Sequence, residues 1–546
     1  MLGVPREPQP LRVLYVSSEA APFAKTGGLG DVSGVLPRAL RRRGIDVRVV
    51  MPLYAGIRWD ALERLEGTLE VPMWWGRARA AVRLGRLPDG DVPVYFLEYN
   101  RYFDRPFLYG PPGDGYGDNI ERFTFLSRGA LELTKVIGFL PDVVHANDWQ
   151  TALLPVYVNT VEWAQPLHGT ATIYTIHNLL HQGVSDGGAL LVTGLGREHY
   201  HPGEFEHFGT LNLTKAALRH ATLLSTVSPT YAREIQTAQA GCGLDGVLRE
   251  RRADLFGILN GIDTEQWNPA TDPHIADRFT AEHMDGKRTC KAALQAAAGL
   301  AVDPRIPLFA VIGRLTYQKG YDVLAHSMDR LLSWDLQMVL LGTGDRDGEE
   351  FFGALSARRP DKFKAWLTFD EALAHRIEAG ADFFVMPSRF EPCGLNQMYS
   401  LRYGTLPVAR ATGGLVDTVR NYQEATGEGT GFLFGDLTPG ALADTVGWAL
   451  STWFDRPAHV QAMRRRAMGE DFSWDRAAAR YEQLYLDAYR RRRGHPFATG
   501  PTAPAAQSAT ASSRPQTFAP SPAPRTSTPR PAGRRGRRPA RRSPRK

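Results

Sequence analysis

Leu11–Met51, LRVLYVSSEAAPFAKTGGLGDVSGVLPRALRRRGIDVRVVM, decides the fold. It opens on an apolar run, Leu11–Ser17, followed by a Gly-rich loop, Lys25–Gly30, and a helical pattern over Asp31–Arg43. A second apolar run, Ile45–Met51, comes directly after Gly44. Strand, loop, helix, strand is the repeating unit of a parallel sheet.

Working outward, the same grammar continues. Val92–Glu98, Asp142–His145, Ala171–Ile176 and Leu223–Val227 read as buried strands, with helical stretches between several of them. The pattern then starts afresh with Pro307–Ile312, Leu336–Leu341 and Ala381–Met386, each followed by Gly or Pro and a helical segment. The expected fold is therefore α/β, two successive doubly wound halves. Residues 1–258 form the first and 259–473 the second, with the turn-like Leu259–Asp263 as candidate hinge. A closing helix within 474–496 is expected to pack back on the first half. In such sheets ligands bind beyond the carboxyl ends of the strands, at the point where strand order reverses.

Composition bounds the rest. The 546 residues are 43% hydrophobic and 23% charged, enough for more than one core. Ten Arg, one Lys and ten Pro fall in residues 497–546, which hold no Asp or Glu. Removing those eleven cations from 65 basic residues leaves 54 against 58 acidic, so the net positive charge belongs to an appendage. A wholly basic nucleic-acid-binding body is thereby excluded. This tail is too poor in apolar residues to offset its ordering entropy and is expected to be disordered. An anionic partner for it is one reading and a merely solubilising extension the other, the latter preferred. Three scattered cysteines, Cys242, Cys290 and Cys393, make neither a disulfide framework nor a zinc site. No apolar run approaches a membrane span or a signal peptide, so a cytoplasmic protein with no membrane partner is expected.

Several loops at strand ends carry groups suited to an anionic, hydroxyl-rich ligand. In Lys25–Val32, KTGGLGDV, adjacent glycines let backbone N–H groups approach an anion and Lys25 adds a point charge. The spacing is neither that of a dinucleotide fingerprint nor that of a Walker A loop. In Gly313–Gly320, GRLTYQKG, Arg314 and Lys319 stand near a strand end, where two cations can neutralise a diphosphate. Pro387–Gln397, PSRFEPCGLNQ, places Glu391 to hold sugar hydroxyls and the amides from Cys393 through Gly394 to Leu395 to face a phosphate. Cys393 itself reads as a small buried residue rather than a nucleophile. Ala411–Leu415, with Thr412, Gly413 and Gly414, offers a second backbone nest. His145–Trp149 and Thr175–Leu179 bring Asp148, His177 and Asn178 to strand ends in the first half. Asp345 and Asp347 spell a D-x-D in a charged loop, weak support for a metal, and no hydrolase elbow, zincin or kinase signature is present.

Taken together these segments resemble the bacterial and plant glycogen/starch synthases, over about Leu11 to Tyr489. KTGGLGDV is similar to that family's K-x-G-G-L-x-D-V, and Arg314–Gly320 to its R-L-T-x-Q-K-G. The resemblance implies two Rossmann-like domains facing a deep cleft, the GT-B architecture. It implies retaining transfer of glucose from ADP-glucose to the non-reducing end of an α-1,4-glucan such as glycogen, with release of ADP. It also implies roles: Lys25, Gly28 and Asn260 on the donor, Arg314 and Lys319 on the departing diphosphate, Glu391 on donor hydroxyls. The Cys393–Leu395 amides would assist the phosphate or sugar, while His177, with Asn178, sits beside the glucose and Asp148 on the acceptor or sugar side. No cofactor or metal is expected, since lysine and arginine stand in for the divalent cation. Two positions depart from the family pattern, His181 for an aromatic and Asn396 for Thr, whereas Tyr399, where many other GT-B enzymes carry a second Glu, favours the glycogen/starch synthase branch. The competing readings are a GT-B glucosyltransferase with another donor or acceptor, and a non-catalytic glucan-binding protein.

Overall fold

The computed structural model describes residues 9–88, 91–111 and 113–497. The expectation of disorder for the tail, and of an anionic partner there, falls on residues outside this range apart from Phe497. The chain builds two separate parallel cores. In the first, strands run Leu255–Gly257, Leu223–Thr226, Ala171–Ile176, Val143–Asn147, Arg12–Val16, Asp46–Pro52 and Pro93–Glu98 across the sheet, all parallel. Arg12–Val16 lies at the centre, with Val13 opposite both Val47 and Val143. The apolar runs are strands because helices cover both faces, so nearly every position is buried. The second sheet runs Phe363–Trp366, Gln337–Leu341, Leu308–Ile312, Phe383–Met386, Leu406–Arg410 and Phe432–Phe434, again all parallel.

Strand order reverses in each sheet beside its first strand: between Arg12–Val16 and Val143–Asn147 in one half, and between Leu308–Ile312 and Phe383–Met386 in the other. The loops leaving these four strands carry Lys25, Asp148, Arg314 with Lys319, and Glu391, whereas His177 follows Ala171–Ile176 and Thr412 follows Leu406–Arg410. The chain crosses between halves at residues 258–263 and returns near 472–474, where the Ile262 N–H donates to the Phe472 carbonyl at 2.8 Å. The helix Trp474–Arg493 then packs on the helix Gly28–Arg42 and on Ala171–Ile176 of the first sheet. Its Tyr485 hydroxyl meets His145 Nδ1 at 2.8 Å, so buried His145 is a structural residue.

One local reading is corrected and one element is added. The first helix begins at Gly28, not Asp31, so the second half of the Gly-rich loop is already helical. An antiparallel pair, Leu69–Met73 with Gly76–Arg86, extends the first sheet beyond its parallel core. Its sequence alternates buried Ala78, Ala80 and Val82 with Arg77, Arg79 and Arg83, a period-2 signal hidden by the arginines.

Candidate active site

A cavity of about 1440 Å³ separates the two sheets at the carboxyl ends of their strands. From the first half Lys25, Gly28, Asp148, His177 and Asn178 line it; from the second, Arg314, Lys319, Glu391, Cys393, Gly394 and Leu395 do so. Asn260, on the crossing segment, completes the wall. Leu395 faces Gly28 across the gap, 4.0 Å from where a Cβ on that glycine would sit.

The second-half wall is built on charge. Lys319 Nζ lies 2.6 Å from Glu391 Oε2, which also accepts from the Ser388 hydroxyl at 2.9 Å. Glu391 is buried, and its other oxygen has no partner among the described residues. The two motif loops are locked together, since a Cβ on Gly320, at φ +69°, would sit 1.9 Å from the Pro387 carbonyl oxygen. Arg314 is exposed and, among the described residues, has no carboxylate within ion-pair reach. Its charge is felt by His181 across the cleft, whose pKa is held below the ordinary value, mainly by burial and further by Arg314.

On the first-half wall the ring of His177 has one tautomer. Asn147 Nδ2 donates to the Val16 carbonyl at 3.0 Å, which leaves its Oδ1 to accept from His177 Nε2 at 2.9 Å and from the Tyr15 hydroxyl at 3.1 Å. His177 thus carries its proton on Nε2 and presents an unprotonated Nδ1; burial lowers its pKa to about 3, so it is neutral at pH 7. Asp148 Oδ1 accepts the His177 and Asn178 N–H groups at 2.7 and 3.4 Å, and its other oxygen has no partner among the described residues. Burial raises its pKa to about 7 against the lowering effect of those amides. The residue sits at φ 57°, a left-handed conformation uncommon outside glycine and a frequent mark of a functional turn.

Glu19 is a site residue with no sequence motif. It is buried, lines the cavity, and accepts from the Thr26 N–H (2.6 Å), the Thr26 hydroxyl (2.7 Å) and the Tyr109 hydroxyl (2.5 Å). It thereby fixes the loop that carries Lys25, whose ammonium reaches Asp31 at 2.6 Å. Asp31 nonetheless has a raised pKa, because burial outweighs the lysine.

Other expectations resolve individually. Cys393 is buried and its thiol is pushed up to about 12 by burial, which excludes a thiolate nucleophile at neutral pH. Asn260 Oδ1 is buried without a hydrogen-bond partner among the described residues. Tyr399 stacks on Trp267 at 3.9 Å, His375 covering the other face at 3.8 Å, so this position supports an aromatic wall. Asn396 Nδ2 donates to the Ile312 carbonyl at 2.8 Å, tying its helix to the neighbouring strand. Thr412, Gly413 and Gly414 are a correction: they do not line the cavity, and the donors of this turn are already occupied, Gly413 N–H by Glu234 Oε1 (2.9 Å) and Gly414 N–H by the Glu391 carbonyl (3.0 Å). Among the described residues no group of three or more His, Cys, Asp or Glu side chains is arranged to hold a metal, Asp345 and Asp347 included. No helix there is long and apolar enough to cross a membrane.

Residues 12–250 match the starch synthase catalytic domain family and residues 297–467 the glycosyl transferases group 1 family. The glycogen synthase 1 of Geobacter metallireducens is 52% identical over 488 residues, 89% of this chain and 97% of that protein. A glycogen synthase from Anaeromyxobacter sp. is 50% identical, covering 87% and 99%. The catalytic domain of starch synthase IV from Arabidopsis thaliana, solved bound to ADP and acarbose, superposes with a TM-score of 0.82 at 34% identity, over 88% of this chain and all of that one. A sucrose-phosphate synthase from Thermosynechococcus elongatus, at 18% identity and TM-score 0.55 over 88% of this chain and 99% of that one, shares the fold alone.

Proposed function

This chain belongs to the glycogen and starch synthase family of glycosyltransferases, and on that premise we propose how its cleft performs retaining transfer of glucose from ADP-glucose to the non-reducing end of an α-1,4-glucan. The observation that carries the reading is Arg314, a cation with no carboxylate partner among the described residues, on the same wall as the Lys319–Glu391 pair and opposite the Lys25 loop. As the glycosidic bond to the diphosphate stretches, negative charge accumulates on the leaving group and positive charge on the sugar. Groups fixed where that charge develops stabilise the transition state more than the bound substrate.

Arg314 takes the diphosphate with its planar fork of donors, and Lys319 lies between that charge and Glu391. Glu391, anchored through one oxygen, offers the other to donor hydroxyls. On the opposite wall neutral His177 presents Nδ1 as an acceptor for a sugar hydroxyl, and Asp148 holds the acceptor side through its unpartnered oxygen. The Lys25–Gly28 loop and Asn260 Oδ1 hold the donor from the first half and the crossing segment. The leaving phosphate takes the proton of the incoming hydroxyl on the same face, which keeps the anomeric configuration without a covalent intermediate. Because cations of the chain meet the diphosphate, the reaction is proposed to need no metal.

Purified protein incubated with ADP-glucose and glycogen in excess EDTA tests both points. ADP release with polymer growth is expected. Transfer only from another nucleotide sugar would replace the donor assignment, and loss of activity in EDTA would turn attention to Asp345 and Asp347.

A further inference from the structure

The Gly-rich turn at 411–415 accepts a carboxylate from the other half of the molecule. Glu234, the last residue of the first-half helix Pro229–Glu234, reaches across so that its Oε1 accepts from the Gly413 N–H at 2.9 Å and the Thr412 hydroxyl at 3.2 Å. A second carboxylate crosses the opposite way: Asp417 accepts from the Thr230 N–H at 2.8 Å and from its hydroxyl at 2.7 Å. What the turn touches on its far side gives the contact its meaning. The Gly414 N–H donates to the carbonyl of Glu391 at 3.0 Å. A Cβ on Gly413, at φ +47°, would sit 1.9 Å from that carbonyl oxygen, and one on Gly414 2.0 Å from the carbonyl oxygen of Cys393. Backbone packed this closely has no slack, so the turn and the Glu391–Cys393 loop move as one piece.

We propose that Glu234 is a positioning residue for glucose transfer: seated on Thr412 and Gly413 only while the two halves are docked, it sets the Glu391–Cys393 loop in its working place. Closure of the cleft and placement of Glu391 then become one event, since separating the halves removes a charged acceptor from the Gly413 N–H and frees the turn on which the loop rests. The inference rests on the transfer reaction proposed above.

Turnover and donor KM measured for Glu234→Ala and Glu234→Gln, beside the unaltered protein, test it. Loss of a charge-assisted acceptor predicts a roughly 10- to 100-fold fall in kcat for Glu234→Ala. The KM for ADP-glucose should rise by less than kcat falls, because Glu234 acts on the donor only through the Glu391–Cys393 loop. The melting temperature should fall by no more than about 5 °C. Glu234→Gln, keeping size and one acceptor oxygen, should recover part of the loss and lie about 3- to 10-fold below the unaltered protein. An unchanged kcat in either variant, or a loss confined to KM, overturns the proposal. If Glu234→Ala unfolds, the Gln variant decides by the same criteria. Absence of transfer by the unaltered protein would overturn the reaction and this inference together, whereas robust transfer with an indifferent Glu234 overturns the inference alone.

Discussion

Replacing Lys319 by Met separates what that lysine does for the fold from what it does for the reaction. Its ammonium is 2.6 Å from Glu391 Oε2, with side-chain exposures of 23% and 6%. At that distance and an effective dielectric constant near 20, the attraction is roughly 6 kcal/mol before desolvation is subtracted. Removing one partner of a buried pair leaves an uncompensated charge, which costs about 3–5 kcal/mol, here toward the lower end because Lys319 is partly exposed. Only the Ser388 hydroxyl would then donate to Glu391 Oε2. Turnover should fall roughly 10²- to 10³-fold from loss of a cation fixed at the leaving group. The double variant Lys319→Met/Glu391→Gln removes both charges, so urea denaturation should show stability restored to within about 1 kcal/mol of the unaltered protein. ADP release from ADP-glucose with glycogen should stay as low as in the single variant or lower. Should turnover instead recover by more than about tenfold in the double variant, Lys319 would be a counter-ion for Glu391 and nothing more, and the leaving-group argument would fail.

Two further predictions address the first-half wall. Glu19→Gln places an amide NH₂ where the carboxylate accepts from Thr26 and Tyr109, and kcat/KM for the donor should fall about 10- to 100-fold through disorder of the Lys25 loop; an unaltered value would remove Glu19 from the site. Asp148 has a pKa raised to about 7 in the folded chain, so its contribution to stability is fully present below the ordinary aspartate range and is lost as pH rises toward about 7. Urea denaturation across pH 4 to 8 should show Asp148→Asn losing less stability than the unaltered protein as pH rises, and parallel profiles would contradict the assignment.

The parallel strands were legible in the sequence because burial on both faces leaves no polar alternation to confuse the reading; Ala171–Ile176 has the bounds that the pattern gives, and the helix Trp474–Arg493 falls within the expected 474–496. Arg314, Lys319 and Glu391 were legible for a related reason, since a doubly wound sheet delivers whatever follows its strands to one edge. Illegible were relations between segments far apart in sequence. Nothing around Ser18-Glu19 signals that the carboxylate will hold Thr26 and Tyr109, ninety residues further on. Glycine at 27, 28 and 30 argued against a helix starting before Asp31, yet packing imposes one from Gly28. The Thr412–Gly414 turn reads in sequence as a nest for phosphate, and only the folded chain shows the Glu234 carboxylate seated on it.

The electrostatic design explains why the two cations of the second half are treated differently. Lys319 has a permanent counter-ion, so its charge is affordable in the empty protein and it orients Glu391 at all times. Arg314 has none among the described residues, and its charge adds to burial in holding the pKa of His181 below the ordinary value. An exposed guanidinium without a carboxylate partner keeps its fork of donors open, so a diphosphate can meet it without displacing a counter-ion of the chain. Neutrality of His177 follows the same logic from the other side. A protonated ring beside a sugar that is gaining positive charge would oppose the transition state, whereas Nδ1 with a lone pair does not. In the proposed reaction the cleft thus offers Arg314 and Lys319 to the departing diphosphate and keeps the His177 ring on the facing wall uncharged.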